Sequence, residues 1–219
     1  MKNNKLYQDL EHIGIRLALS NSIKKARIKG WIDIEQTLIN GCYEVPHDSR
    51  LLSLLLSWID VHGNYIIVEK FFKLARIEEK KRGHCAWITC LAAYAVHIGI
   101  NKWKKWSKPE SQKSYLFSEK RTKSGIKLKG AIPYLSSVNI IIPNDSIRIR
   151  KADIIQPKEL IGKSPQYKNR YLFGPSWRAD IITAIEWGME NPFQISKELG
   201  CSYEPANRVF KEYHLASSP

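Results

Sequence analysis

Residues 191–215, NPFQISKELGCSYEPANRVFKEYHL, decide how the rest of the chain is read. Asn191 is a polar cap and Pro192 stands at the first helical position, where its missing N–H costs nothing. Ile195 and Leu199 then fall one turn apart on one face of a short helix. Gly200 ends that helix where a left-handed residue is needed. Ser202 starts a longer helix with Ala206, Val209, Phe210 and Tyr213 at the i, i+3, i+4, i+7 spacing of a buried stripe. Immediately upstream, Pro175 and Ser176 open a third pattern, with Ile181, Ile182, Ile185 and Trp187 as its apolar positions.

A helix of about two turns, a glycine turn and a longer helix is the spacing of a helix-turn-helix. With the stripe of the last helix turned inward, its outer side carries Tyr203, Glu204, Asn207, Arg208, Lys211 and His214. Asn and Arg side chains bond bidentately to adenine and guanine edges in a major groove. Ser202 and Tyr203 sit at the helix N-terminus, where backbone N–H groups favour phosphate.

The segment from Ala179 to Leu215 resembles the trihelical core of bacterial helix-turn-helix and winged-helix regulators. Ile195, Leu199, Gly200, Ser202 and Val209 stand where those families place structural residues. The resemblance covers the last fifth of the chain and implies a DNA-binding fold. Winged domains follow their third helix with a β-hairpin, and the sequence ends at Pro219, so a wing is expected to come from upstream strands or to be absent. A plain three-helix packing or protein-docking module has the same pattern.

Composition supports a polyanionic partner. The 219 residues carry 35 Lys and Arg against 21 Asp and Glu, a net charge of +14, which draws nucleic acid or an anionic surface. Hydrophobic content of 43% supplies a real core. The opening residues are polar where a secretory leader needs an apolar run, so four scattered cysteines read as free thiols in a reducing cytoplasm. The most apolar stretch, residues 85–100, suits a buried helix and is short for a bilayer span. No membrane association is expected.

From residue 1 to about residue 100 the pattern is an all-helical bundle. Leu6, Leu10, Ile13 and Leu17 mark a first helix over 5–19, followed by a basic connection from Lys24 to Lys29 and then Gly30. Asp33 caps a helix ended by Gly41, and Asp48 caps another closed by Gly63. A further helix begins at Asn64, and the apolar one is stopped at Gly99. The two helices flanking Gly63-Asn64 read as an ordinary antiparallel pair, because Leu51 to Ile59 are too apolar for a groove-facing surface.

Residues 101–130 hold ten Lys or Arg against two Glu, with aromatic rings between them. Lys102, Trp103, Lys104, Lys105 and Trp106 are therefore candidate nucleic-acid contacts, by phosphate pairing and ring stacking; a solvated linker is the other reading. Residues 131–150 change to period two. Val138 to Ile142, a turn at Pro143-Asn144-Asp145, and Ile147 and Ile149 alternating with Arg148 and Arg150 predict a hairpin. It would serve as the wing, with Arg148 and Arg150 toward nucleic acid. Residues 156–171 read as a basic connector.

Catalytic constellations are missing from the sequence: there is no phosphate loop, no H-E-x-x-H and no nucleophile elbow. His84, Cys85 and Cys90, and Cys42 with His47, lack zinc spacing. The expectation is a mainly α, cytoplasmic or nucleoid-associated, non-enzymatic protein without cofactor. It has a bundle over 1–100, a basic aromatic segment over 101–130, and a hairpin with a winged-helix-like helix-turn-helix over 131–219. The expected function is binding of double-stranded DNA as a transcriptional regulator or antitoxin-like repressor, with the bundle forming a homodimer or holding a protein partner. Two alternatives stand beside it: a single-strand DNA or RNA binder using residues 101–130, and an accessory factor of a defence or toxin–antitoxin system.

Overall fold

The computed structural model describes residues 4–17 and 32–217; the expected basic connection from Lys24 to Gly30 lies outside them. The described chain is mainly helical, with one two-stranded sheet. It divides into two compact units, residues 1–156 and 157–219. The boundary falls after the predicted hairpin region and not before it, because residues 101–156 pack into the core of the first unit.

Unit 1 begins with α1 (Asn4–His12), α2 (Ile34–Glu44), α3 (Arg50–His62), α4 (Val68–Arg82) and α5 (Ala86–His97). Helix α1 is shorter than its period suggests. Gly14 takes φ 103°, beyond the reach of an ordinary helix, and the chain turns so that Ile15 bridges Ile154 in antiparallel fashion. Arg16 N donates to Asp153 O at 2.7 Å and Ile155 N to Gly14 O at 2.7 Å, so the start and end of the unit are laced together.

Asp33 caps α2 as expected, accepting from Gln36 N at 2.9 Å. Gly41 does not end the helix, which runs on to Glu44. A Cβ at Gly41 would stand 3.0 Å from Leu55 Cδ2, so this glycine lets α2 and α3 approach closely. Leu38, Ile39, Leu52, Leu55, Leu56 and Phe71 are wholly buried between the helices. Each such side chain contributes about 1.5–3 kcal/mol by leaving water. Within this apolar interior Lys70, 1% exposed, reaches Asp33 Oδ2 at 2.7 Å and Glu35 Oε2 at 3.2 Å. Glu35 also accepts from Ile67 N at 3.0 Å at the entry of α4. Burial raises the Asp33 carboxyl above its usual range, with Lys70 opposing that rise.

After α5 the chain forms a 3₁₀ helix (Asn101–Trp106), β1 (Ser114–Tyr115), α6 (Glu119–Lys129), α7 (Pro133–Ser136) and β2 (Ile140–Ile141). The predicted hairpin is not formed. Strand β2 pairs in parallel with β1, Ser114 opposite Ile140 and Tyr115 opposite Ile141. Residues beyond the turn fold back on upstream backbone: Ala131 bridges Pro143, and Asn144 N donates to Gly130 O at 3.0 Å. The backbone donors of Arg148 and Arg150 go to the hydroxyls of Ser53 and Ser57 on α3, at 3.2 and 2.9 Å. Side chains one helical turn apart thus satisfy amides that a partner strand would otherwise take.

Unit 2 comprises α8 (Pro157–Ile161), α9 (Pro165–Phe173), α10 (Trp177–Glu186), α11 (Pro192–Leu199) and α12 (Tyr203–Ser217). The expected basic connector is therefore largely helical. Ser164 caps α9, accepting from Tyr167 N at 3.2 Å, with Pro165 at the first turn.

Candidate nucleic-acid interface

The local signals around α11 act as their chemistry requires. Asn191 Oδ1 accepts from Phe193 N at 2.8 Å, and Gly200 adopts the left-handed conformation, φ 69° and ψ 21°. Helices α10, α11 and α12 each pack on the other two. Ile181, Ile195, Leu199, Ala206 and Val209 are buried among them. A polar lock joins α9 to α10. Arg170 Nε and Nη2 donate to the two carboxylate oxygens of Asp180, both at 2.7 Å, with neither side chain exposed. Gln166 Nε2 adds a donor to Asp180 at 3.3 Å, and Asn169 Nδ2 donates to Thr183 Oγ1 at 3.0 Å and Glu186 Oε2 at 2.7 Å. This lock was hidden in the sequence, although Ser164-Pro165 repeats the start signal of Asn191-Pro192.

With Ala206 and Val209 buried and Phe210 and Tyr213 half-buried, the outer side of α12 is exposed within its unit. Ser202, Tyr203, Arg208, Lys211 and His214 are exposed and Asn207 is half-buried. Among the described residues Arg208 and Lys211 have no ion-pair partner. His214 leans on Phe210, ring centroids 4.3 Å apart, and Arg178 pairs with Glu212. Unit 2 carries eight Lys or Arg against seven Asp or Glu, a net +1; unit 1 carries 27 against 14, a net +13. Long-range attraction for a polyanion therefore belongs to unit 1, and α12 offers directed donors on a nearly neutral unit.

The remaining candidates divide differently from the sequence reading. Trp103 is fully buried, its ring 5.2 Å from Phe71 and 5.6 Å from Phe72, so it is a core residue and not a stacking platform. Trp106 stacks on Phe72 at 4.1 Å, with the Arg76 guanidinium 4.6 Å from its ring, so its faces are taken. The Lys102 ammonium donates to the carbonyls of Asn64 and Ile66 at 2.7 and 2.8 Å and ties the 3₁₀ helix to the bundle. Lys104 and Lys105 are exposed.

Arg148 and Arg150 are exposed too, and with Arg50 they line a cavity of about 370 Å³. Arg50 binds Asp48 through both its Nε and Nη2 and holds the Asp48 carboxyl below its usual range. Among the described residues Arg148 and Arg150 have no such acid partner. Sequence reasoning assigned these two arginines to a wing; they instead project from a segment anchored along α3.

Among the described residues no cluster of three or more His, Cys, Asp and Glu side chains could hold a metal ion, and no helix is long and apolar enough to cross a membrane. Cys42, Cys85 and Cys90 are buried free thiols; burial pushes all three up, Cys85 to about 11, which makes thiolate chemistry unfavourable. No protein-family model, no curated protein and no solved structure matches the chain.

Proposed function

We propose that the protein binds double-stranded DNA through α12, as a transcriptional regulator or antitoxin-like repressor. One observation carries the reading: a helix held from behind by Ala206 and Val209, after a glycine turn, presents Asn207, Arg208 and Lys211 without acid partners among the described residues. In this reading Asn207 and Arg208 meet base edges, Lys211 and His214 lie near phosphates, and the amides at Ser202 and Tyr203 receive a phosphate at the helix start. The excess charge of unit 1 supplies a sequence-independent attraction. The bundle of unit 1 then serves as the homodimer or protein-partner surface.

Selection of preferred sites from a random duplex pool tests the reading. The selected site should lose its advantage over random duplex by about 1–3 kcal/mol with Arg208→Ala. Selection that yields no enriched sequence, or an enriched site bound equally well by Arg208→Ala, would reject α12 as the reading element.

A further inference from the structure

Ser49, Leu116 and Phe117 line the arginine cavity and also a second cavity of about 650 Å³, so the two adjoin. They form one groove across unit 1. Its first lobe is lined by Arg148, Arg150, Ser49, Ser53 and Ser146, and by Arg50, whose fork is taken up by Asp48. Its second lobe is walled by Tyr43, Trp87, Tyr115 and Phe117. Cations sit on two of these rings: Arg121 stands 4.6 Å from the Phe117 centroid and Arg82 3.9 Å from that of Tyr43. Asp153 is the acidic side chain of the first lobe. His84, which lines the second lobe, is clasped between Glu79 and Glu110 at 3.0 and 2.7 Å, so that end of the groove is acidic.

We infer that this groove binds single-stranded nucleic acid, its arginine lobe on the phosphates and its aromatic lobe under the bases. The site is lined by residues of unit 1 alone and requires nothing of the duplex reading. Three features favour this occupant. Guanidinium forks match phosphate oxygens bidentately. Arginine and ring surfaces side by side form the general platform for unstacked bases. The rings that line the second lobe suit a strand whose bases are free, whereas paired bases have no face to offer. The backbone that carries the arginines is anchored: Arg148 N and Arg150 N donate to Ser53 and Ser57 on α3, and Lys151 Nζ pairs with Asp60 at 2.7 Å. Phe117 and Tyr115 are the stacking residues of segment 101–130, in place of Trp103 and Trp106.

The test measures fluorescence anisotropy of labelled dT12, rU12 and a 12-base-pair duplex with the full chain at low salt, with ADP as competitor. Bound oligonucleotide carrying 4-thiothymidine is then photo-crosslinked and the attached peptides are read by mass spectrometry. We expect dT12 or rU12 to bind, and crosslinks in 43, 87, 114–118 or 146–153. The Arg148→Gln/Arg150→Gln variant and, separately, Phe117→Ala should each weaken dT12 by about tenfold. Lys80→Gln/Lys127→Gln, an equal loss of two charges at exposed positions outside the groove, should change it less than about twofold. Unaltered melting temperatures show that the variants are folded. The ratio of dT12 to rU12 affinity tells whether the strand is DNA or RNA. Crosslinks confined to 203–214, equal losses from Lys80→Gln/Lys127→Gln and the arginine variant, or no binding of either single strand would overturn the inference. So would displacement of dT12 by ADP at equal affinity, which would make the groove a site for a free nucleotide.

Discussion

Asp180→Asn tests whether the α9–α10 lock holds unit 2 together. The substitution keeps the shape of the side chain and removes its charge, so the wholly buried Arg170 guanidinium no longer faces the Asp180 carboxylate. Two donor–acceptor contacts of 2.7 Å are weakened at once, and Gln166 Nε2 loses a charged acceptor. Breaking one side of a buried pair costs about 3–5 kcal/mol, because a charge remains in a medium that cannot solvate it. A unit of about 60 residues has a total stability of roughly 3–9 kcal/mol, so the loss consumes most of its margin. Hydrogen exchange read by mass spectrometry is the appropriate assay, since it reports the two units separately. Peptides spanning 165–199 should lose protection in Asp180→Asn, while those spanning 51–59 and 86–97 stay protected. Replacing both partners, Arg170→Met with Asp180→Leu, should restore much of the protection, because no buried charge is left. Protection of 165–199 within about 1 kcal/mol of the parent in Asp180→Asn would refute the reasoning.

Three further outcomes follow from unit 1 and the turn. His62 is buried, its Nε2 2.8 Å from Ile155 O, and burial pulls its pKa down to about 4 from 6.5. The unfolded chain therefore binds the proton more readily: stability is full above about pH 6.5, is lost as pH falls toward 4, and the loss has a ceiling of about 3 kcal/mol; urea melts of His62→Gln should show a flatter acid limb. Lys70→Met leaves the carboxylates of Asp33 and Glu35 facing each other in the core, and chemical denaturation should register a loss of about 3–5 kcal/mol. Gly200→Ala forces a Cβ into the left-handed region at φ 69° and should lower unit 2 stability by about 1 kcal/mol, with Gly200→Asn milder in the same thermal melt.

Where the chain writes its structure in local chemistry, the sequence was sufficient. Asp33, Asn191-Pro192 and Gly200 act through groups within four residues of themselves, and the apolar rows of α3 and α5 need only their own period; of the α12 row, Ala206 and Val209 are buried and Phe210 and Tyr213 half-buried. Tertiary partners overrode the rest. Residues 138–150 alternate like a hairpin, yet Ser53 and Ser57, distant in sequence, take the amides of Arg148 and Arg150. Gly41 looked like a stop signal because glycine leaves no trace of which helix approaches it. Trp103 sat among lysines and so read as exposed, although the cluster of Phe71 and Phe72 draws it inward. Gln166, Asn169 and Arg170 made α9 look like a basic connector, and no apolar period reveals a helix whose buried face is polar apart from Tyr167. Of the candidate interface, the outer row of α12 was legible; the groove of unit 1 was not, since it gathers residues from 43 to 153.

The most direct test of α12 as a duplex-binding helix is the affinity of the full chain for a random-sequence DNA duplex, measured across a range of salt concentrations. Counterion release makes log K fall linearly with log salt, with a slope that counts phosphate contacts. The account predicts measurable binding at low salt and a slope shallower by about 1 in Lys211→Ala. Indifference to duplex at low salt, or a slope that Lys211→Ala leaves unchanged, would contradict it.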